Sequence, residues 1–143
     1  MTDLKRSRTK ENLMRAFAGE SQARNRYTFA AGMAKQKHLP VLQEIFLYTA
    51  DQEKEHAEIF YKFLQEMDKE TIEITGGYPV DLGEEILDQL KKAAHNEKEE
   101  HEVIYQSFGD MAEQEGFLQI AQSFRMIGKI EKTHQERFEQ LAK

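Results

Sequence analysis

Apolar residues recur along this chain with a helical period. Leu39, Leu42, Phe46, Phe60, Phe63 and Met67 fall on one face of one segment, and Phe117, Ile120, Phe124, Ile127, Phe138 and Leu141 do the same in the last. The pattern predicts four helices, over about 8–36, 40–68, 83–114 and 117–141. His38-Leu39-Pro40 ends the first and opens the second, because proline restricts the residue before it and suits a first helical turn. Asp81-Leu82-Gly83-Glu84 reads as the cap of the third helix, and Gly116 as the break before the fourth. Two short connections imply two antiparallel hairpins. The longer one, near 69–82, can run the length of a bundle and join them. Residues 71–75 are expected to be briefly extended at most.

Composition supports this reading. Only two prolines and eight glycines punctuate 143 residues, so an all-α single domain over 1–143 is expected. No cysteine is present, which excludes disulfides, thiolate metal sites and a cysteine nucleophile from these residues. The net charge of −6, with no basic stripe, argues against nucleic-acid binding. No apolar run reaches the roughly 18 residues of a membrane span. Met1–Arg6 leads into no apolar core, so no secretory signal is expected and a cytoplasmic address follows.

The two halves repeat, and the repeat carries acids. Glu53-Lys54-Glu55-His56 matches Glu131-Lys132-Thr133-His134, with Phe46 and Phe124 each seven residues upstream of the first glutamate. Glu20 interrupts the apolar face of the first helix and Glu97 that of the third. Side chains three apart on a helix are neighbours, so each Glu-x-x-His pair offers an oxygen and a nitrogen to one ion. Glutamates from the other two helices complete a carboxylate-bridged di-iron or di-manganese arrangement. A single Glu-x-x-His is weak. The stronger point is energetic: a buried carboxylate costs several kcal/mol unless paired. No lysine or arginine recurs on these faces, although Arg24 lies near Glu20.

The stretches carrying these residues resemble the rubrerythrin family. They are 16–27 (Ala-Phe-Ala-Gly-Glu-Ser-Gln-Ala-Arg-Asn-Arg-Tyr), 49–57, 97–108 and 131–138. The resemblance implies a ferritin-like four-helix bundle made of two helical hairpins joined by a long crossover. It implies two iron ions, oxo-bridged when oxidised, with manganese as the other candidate metal. Glu20 and Glu97 would each serve one ion, Glu53 and Glu131 would bridge, His134 would serve one ion, and Glu100 or His56 the other. By resemblance Glu100 ligates the oxidised site and His56 takes over on reduction. Glu100 and Tyr27 are the candidate catalytic residues. The implied activity is a non-haem di-iron peroxidase that reduces hydrogen peroxide to water in oxidative-stress defence. The rival reading is a ferroxidase that handles iron. Family members that carry a rubredoxin domain use four cysteines for it. With none here, the chain is expected to be a short erythrin, fed by an external donor such as a rubredoxin or its reductase. A homodimer, with hairpin exchange open, is the expected assembly.

Other residues read more plainly. Tyr27 and Tyr105 stand close to the acids and invite hydrogen bonds to them. His101 is expected at the surface or behind the ligands, and His38 and His95 in solvent. Met14, Met33, Met67, Met111 and Met126 read as core fillers.

Overall fold

The structure is a computed structural model that describes residues 3–143. Met1 and Thr2, part of the stretch read as carrying no secretory signal, lie outside the described residues. Helix α1 spans Arg8–Gln36 and α2 Pro40–Lys62. A third rod consists of α3 (Ile86–Glu99), a π-helical turn (Glu100–Ile104) and α4 (Tyr105–Gln114). Helix α5 spans Leu118–Leu141. Short 3-10 turns lie at Leu4–Arg6 and Gln65–Met67, and no strand occurs among the described residues. The architecture is the expected all-α bundle of two antiparallel hairpins. None of its helices is long and apolar enough to cross a membrane.

Both hairpins turn by one device. Helix α1 ends with the amide of Leu39 bonded to the carbonyl of Ala34 at 2.9 Å, and that of His38 to Lys35 at 3.1 Å. The third rod ends identically: Phe117 bonds Ala112 at 2.8 Å and Gly116 bonds Glu113 at 3.0 Å. This paired bonding needs a left-handed residue after the helix, where glycine costs nothing. Gly116 takes it at φ 89°, and His38 takes it at φ 59°. The next residue opens the second helix of each hairpin, with Pro40 in the first turn of α2.

The hairpins are also tied end to end. Glu115 accepts from the amides of Arg8 (2.9 Å) and Thr9 (2.8 Å), filling the open start of α1, while Ser7 Oγ accepts from Lys10. Burial alone would raise the Glu115 pKa, but a hydrogen bond from the Thr9 hydroxyl, and then these amide bonds, lower it.

Two boundaries and one helix interior differ from expectation. The third helix starts at Ile86, not 83, and Asp81 does not cap it. Its carboxylate is taken by Asn96 (2.7 Å) and faces Arg26 (3.7 Å), while Gln89 binds the carbonyls of Asp81 and Gly83. Tertiary partners outcompete the local cap. Helix α2 stops at Lys62, six residues short of 68, where the chain turns under the bundle and begins its crossover. The third rod is not plain α-helix but carries the π turn.

Two apolar layers fill the interior. One holds Leu13, Phe60, Tyr105, Phe124 and Ile127; the other holds Tyr27, Phe46, Leu90 and Phe138. The aromatic rings stack across the hairpins: Phe46 on Phe138 at 5.5 Å and Phe60 on Phe124 at 5.1 Å. Met67 belongs to the core, but Met126 is 63% exposed. A layer of six ionisable side chains separates the two apolar ones.

Candidate metal centre

Glu20 comes from α1, Glu53 and His56 from α2, Glu97 from α3, and Glu131 and His134 from α5. All six are buried, the four glutamates at no more than 1% exposure. Their ligand atoms form two groups of four. Glu20, Glu53, His56 and Glu131 make one; Glu53, Glu97, Glu131 and His134 make the other; within each group the atoms lie within 4.8 Å of one another. Glu53 and Glu131 belong to both. His56 Nδ1 is 3.2 Å from Glu131 and 3.6 Å from Glu20. His134 Nδ1 is 3.1 Å from Glu53, 3.5 Å from Glu97 and 3.6 Å from Glu131. The two rings lie nearly parallel, 6.4 Å apart.

A tyrosine from each hairpin reaches across to the other. Tyr27 donates to Glu97 at 2.6 Å, and Tyr105 donates to Glu20. Both phenols are pushed well up by burial and by the surrounding carboxylates, so they stay protonated and keep donating. Glu97 and Glu20 are thus each oriented by the opposite half.

Glu100 stands apart from the two groups, at the start of the π turn. Its Oε2 is buried with no hydrogen-bond partner. Burial, then the Glu20 charge, raises its pKa well above the usual carboxylate range, against a lowering by Arg26. The π turn was missed in the sequence, yet its signal was there. Leu13, Ala16 and Glu20 match Leu90, Ala93 and Glu97 at an offset of 77, whereas Tyr27 and Ala34 match Tyr105 and Ala112 at 78. One residue has been inserted between, and a π turn is how a helix absorbs it, here with the Tyr105 amide bonded to Glu100.

Gln52 was also missed as a site residue. Its side-chain carbonyl lies against Nε2 of His134, and Nδ1 faces the carboxylates. His101, in the π turn, binds Gln135 on α5 rather than reaching the acids. His38 and His95 are exposed, as expected. Among the described residues no ion pair joins Arg24 to Glu20, and Arg26 faces Asp81 instead.

The metal-free arrangement leaves many atoms unmatched. Glu20 Oε2, both oxygens of Glu53, Glu97 Oε2, Glu131 Oε2 and His134 Nδ1 are buried without hydrogen-bond partners. Burial raises Glu53 and Glu20. Burial alone would lower His56, but Glu131 and Glu20 raise it to about 10; the two histidines in turn lower Glu131 despite its burial. Oxygen and imidazole donors suit iron and manganese. Every orphaned atom named belongs to a residue of these two groups, so the residues fit a metal pair.

Comparisons with known proteins agree. The rubrerythrin family model matches residues 11–142. The chain is 48% identical to the rubrerythrin of Clostridium perfringens, covering all of this chain and 74% of that protein. It is 41% identical to the rubrerythrin of Nitratidesulfovibrio vulgaris, over 96% of this chain and 71% of that one. The all-ferrous structure of nigerythrin superimposes with a TM-score of 0.82 at 27% identity, over 96% of this chain and 69% of that one. The fold, the two fused ligand groups and these relatives lead to one assignment: the chain belongs to the rubrerythrin family of ferritin-like di-iron oxidoreductases.

Proposed function

We propose that this chain is a di-iron peroxidase that reduces hydrogen peroxide to water. Glu20 and His56 would hold one ion, Glu97 and His134 the other, with Glu53 and Glu131 shared. A ferrous pair held there supplies the two electrons that cleavage of the O–O bond consumes, one from each ion. Tyr27 and Tyr105 hold Glu97 and Glu20 in place through their hydrogen bonds. The apolar layers on either side exclude bulk water and strengthen every charge interaction in the site.

The observation that carries this reading is Glu100. A carboxyl with one oxygen buried and unpartnered and a raised pKa stands beside the ligand groups and belongs to neither. A neutral carboxylic acid in that place can give a proton to an oxygen as the O–O bond breaks, which oxidation of free Fe(II) for storage does not require. These 143 residues hold no cysteine, so re-reducing electrons come from outside them; a rubredoxin or its reductase has suitable chemistry.

Anaerobic loading with two equivalents of Fe(II), followed by mixing with hydrogen peroxide or with O2, tests the reading through the growth of diferric absorbance. Faster oxidation by peroxide supports it, and Glu100→Ala should then slow the peroxide reaction tenfold or more. Preference for O2, with uptake of many further irons per chain, would instead make the protein a ferroxidase.

A further inference from the structure

A cavity of about 470 Å³ adjoins the site on the side of the π turn. It lies between α1, the crossover, and the third rod. Glu100 and Tyr105, the latter bonded to Glu20, form part of its wall. Most of the remaining wall is apolar: Ala16, Tyr78, Pro79, Val103, Ile104 and Phe108. Hydrogen peroxide needs a small fraction of that space and gains nothing from a greasy wall. Cavities of a few hundred cubic ångströms with apolar walls and a few polar groups suit small organic molecules.

The cavity is held open by the chain itself. The Tyr78 hydroxyl donates to the Arg15 carbonyl at 3.2 Å, and Arg15 Nε donates to the Thr75 carbonyl at 2.9 Å. These bonds pin the crossover as a roof. A side chain at Gly76 would meet the Tyr78 hydroxyl at 3.1 Å, so glycine allows the roof to fold this closely. Gly19, on the α1 wall, lies 3.5 Å from the Tyr78 ring by the same measure. Larger residues at these places would fill the space.

We propose that this cavity is a binding site for the organic group of an alkyl or aryl hydroperoxide, with its O–O head directed at Glu100 and Tyr105. The inference rests on the peroxidase reading and extends its substrate class. The step balances as ROOH + 2 e⁻ + 2 H⁺ → ROH + H2O. The O–O bond breaks, one electron comes from each of two ferrous ions, and one proton goes to each oxygen, giving an alcohol and water. An external one-electron donor protein restores the ferrous pair.

Two readouts test this. In the first, metal-free protein is titrated with cumyl alcohol, the expected product from cumene hydroperoxide, and methyl NMR signals are followed. Saturable shifts at Ala16, Val103 and Ile104, with none at Leu141 in the far apolar layer, are expected. In the second, anaerobic Fe(II)-loaded protein is mixed with cumene hydroperoxide or with hydrogen peroxide. One cumyl alcohol per two ferrous ions oxidised is expected. Val103 is 55% exposed, so Val103→Trp can narrow the cavity without disturbing the core. It should lower the cumene hydroperoxide rate at least tenfold relative to the hydrogen peroxide rate, with Ile104→Trp as an independent second blockade. Absence of methyl shifts overturns the proposal. So does oxidation by hydrogen peroxide but not by cumene hydroperoxide, or a rate ratio that neither tryptophan alters; the peroxidase reading survives those results. Failure of both peroxides overturns that reading as well.

Discussion

The N-terminal and C-terminal hairpins are near copies, and they differ where the chemistry lies. In the first, α1 runs unbroken past Glu20, and Ala23 stands three residues on. In the second, Glu100 stands three residues after Glu97, and the rod then loosens into a π turn. The histidines differ as well. Gln52 holds the far nitrogen of His134. The matching position in the second hairpin is Ile130, which offers His56 no such partner. The duplicated scaffold therefore builds two ligand groups of unequal character. The one containing Glu97 and His134 is braced by Gln52, while the one containing Glu20 and His56 adjoins the spare carboxyl, the π turn and the cavity. Symmetry supplies the pair of groups, and its local breaking sets them apart.

The largest effect should come from removing what the halves share. Glu131 belongs to both ligand groups, so Glu131→Gln should take bound iron from two ions per chain to fewer than one. Glu97→Gln, which touches one group, should leave about one. Metal analysis after anaerobic loading separates them, and equal losses would refute the shared role.

The brace can be removed or copied. Losing a hydrogen bond behind a ligating histidine typically costs about 10–100-fold in metal affinity. Gln52→Leu should weaken one ion by that order and leave the other close to unchanged. Ile130→Gln should tighten the second position by giving His56 the partner it lacks. Competition titrations with a chelator would show the two affinities converging in both variants, by loss at the braced position in the first and by gain at the other position in the second. Equal effects on both ions would mean that Gln52 is not selective.

The acidity of the cluster makes a further forecast. In the metal-free chain the folded pKa of His56 is raised to about 10 from 6.5. Its contribution is complete below 6.5 and lost as pH climbs through 10. Glu20, Glu53 and Glu100 are also raised, so above about pH 4.5 the folded chain binds more protons than the unfolded one and loses stability with rising pH. Glu131 is lowered, and its contribution disappears only at the acid end. Metal ions replace these protons. The metal-free Tm should therefore fall from pH 6 to pH 9, and the rise in Tm on metal loading should grow over the same interval. A constant difference would show that no protons are exchanged.

The smallest test concerns the turns. His38 occupies a left-handed position that Gly116 fills in the other hairpin. His38→Gly should raise stability by about 1 kcal/mol, measured by urea unfolding.

Much of this was legible in the sequence. The helical period located α1 and placed α5 within one residue, because both have apolar faces bounded by clear turn residues. The six clustered ligand candidates stood out as acids and histidines on apolar faces. What escaped depended on tertiary partners. Asp81 looks like a cap until Asn96 and Arg26 claim it. Gln52 is one polar residue among many on α2 until the fold brings His134 to it. The π turn lies between these cases, since the change of offset from 77 to 78 was readable but has no residue signature of its own.

The central claim is that the acids are buried together because cations sit among them. Metal-free protein titrated with Fe(II) under anaerobic conditions, with bound metal and Tm recorded at each step, tests it directly. Saturation at two ions per chain, with Tm rising throughout the titration, is the expected result. A chain that takes up neither Fe(II) nor Mn(II), and melts at one temperature throughout, would contradict the account.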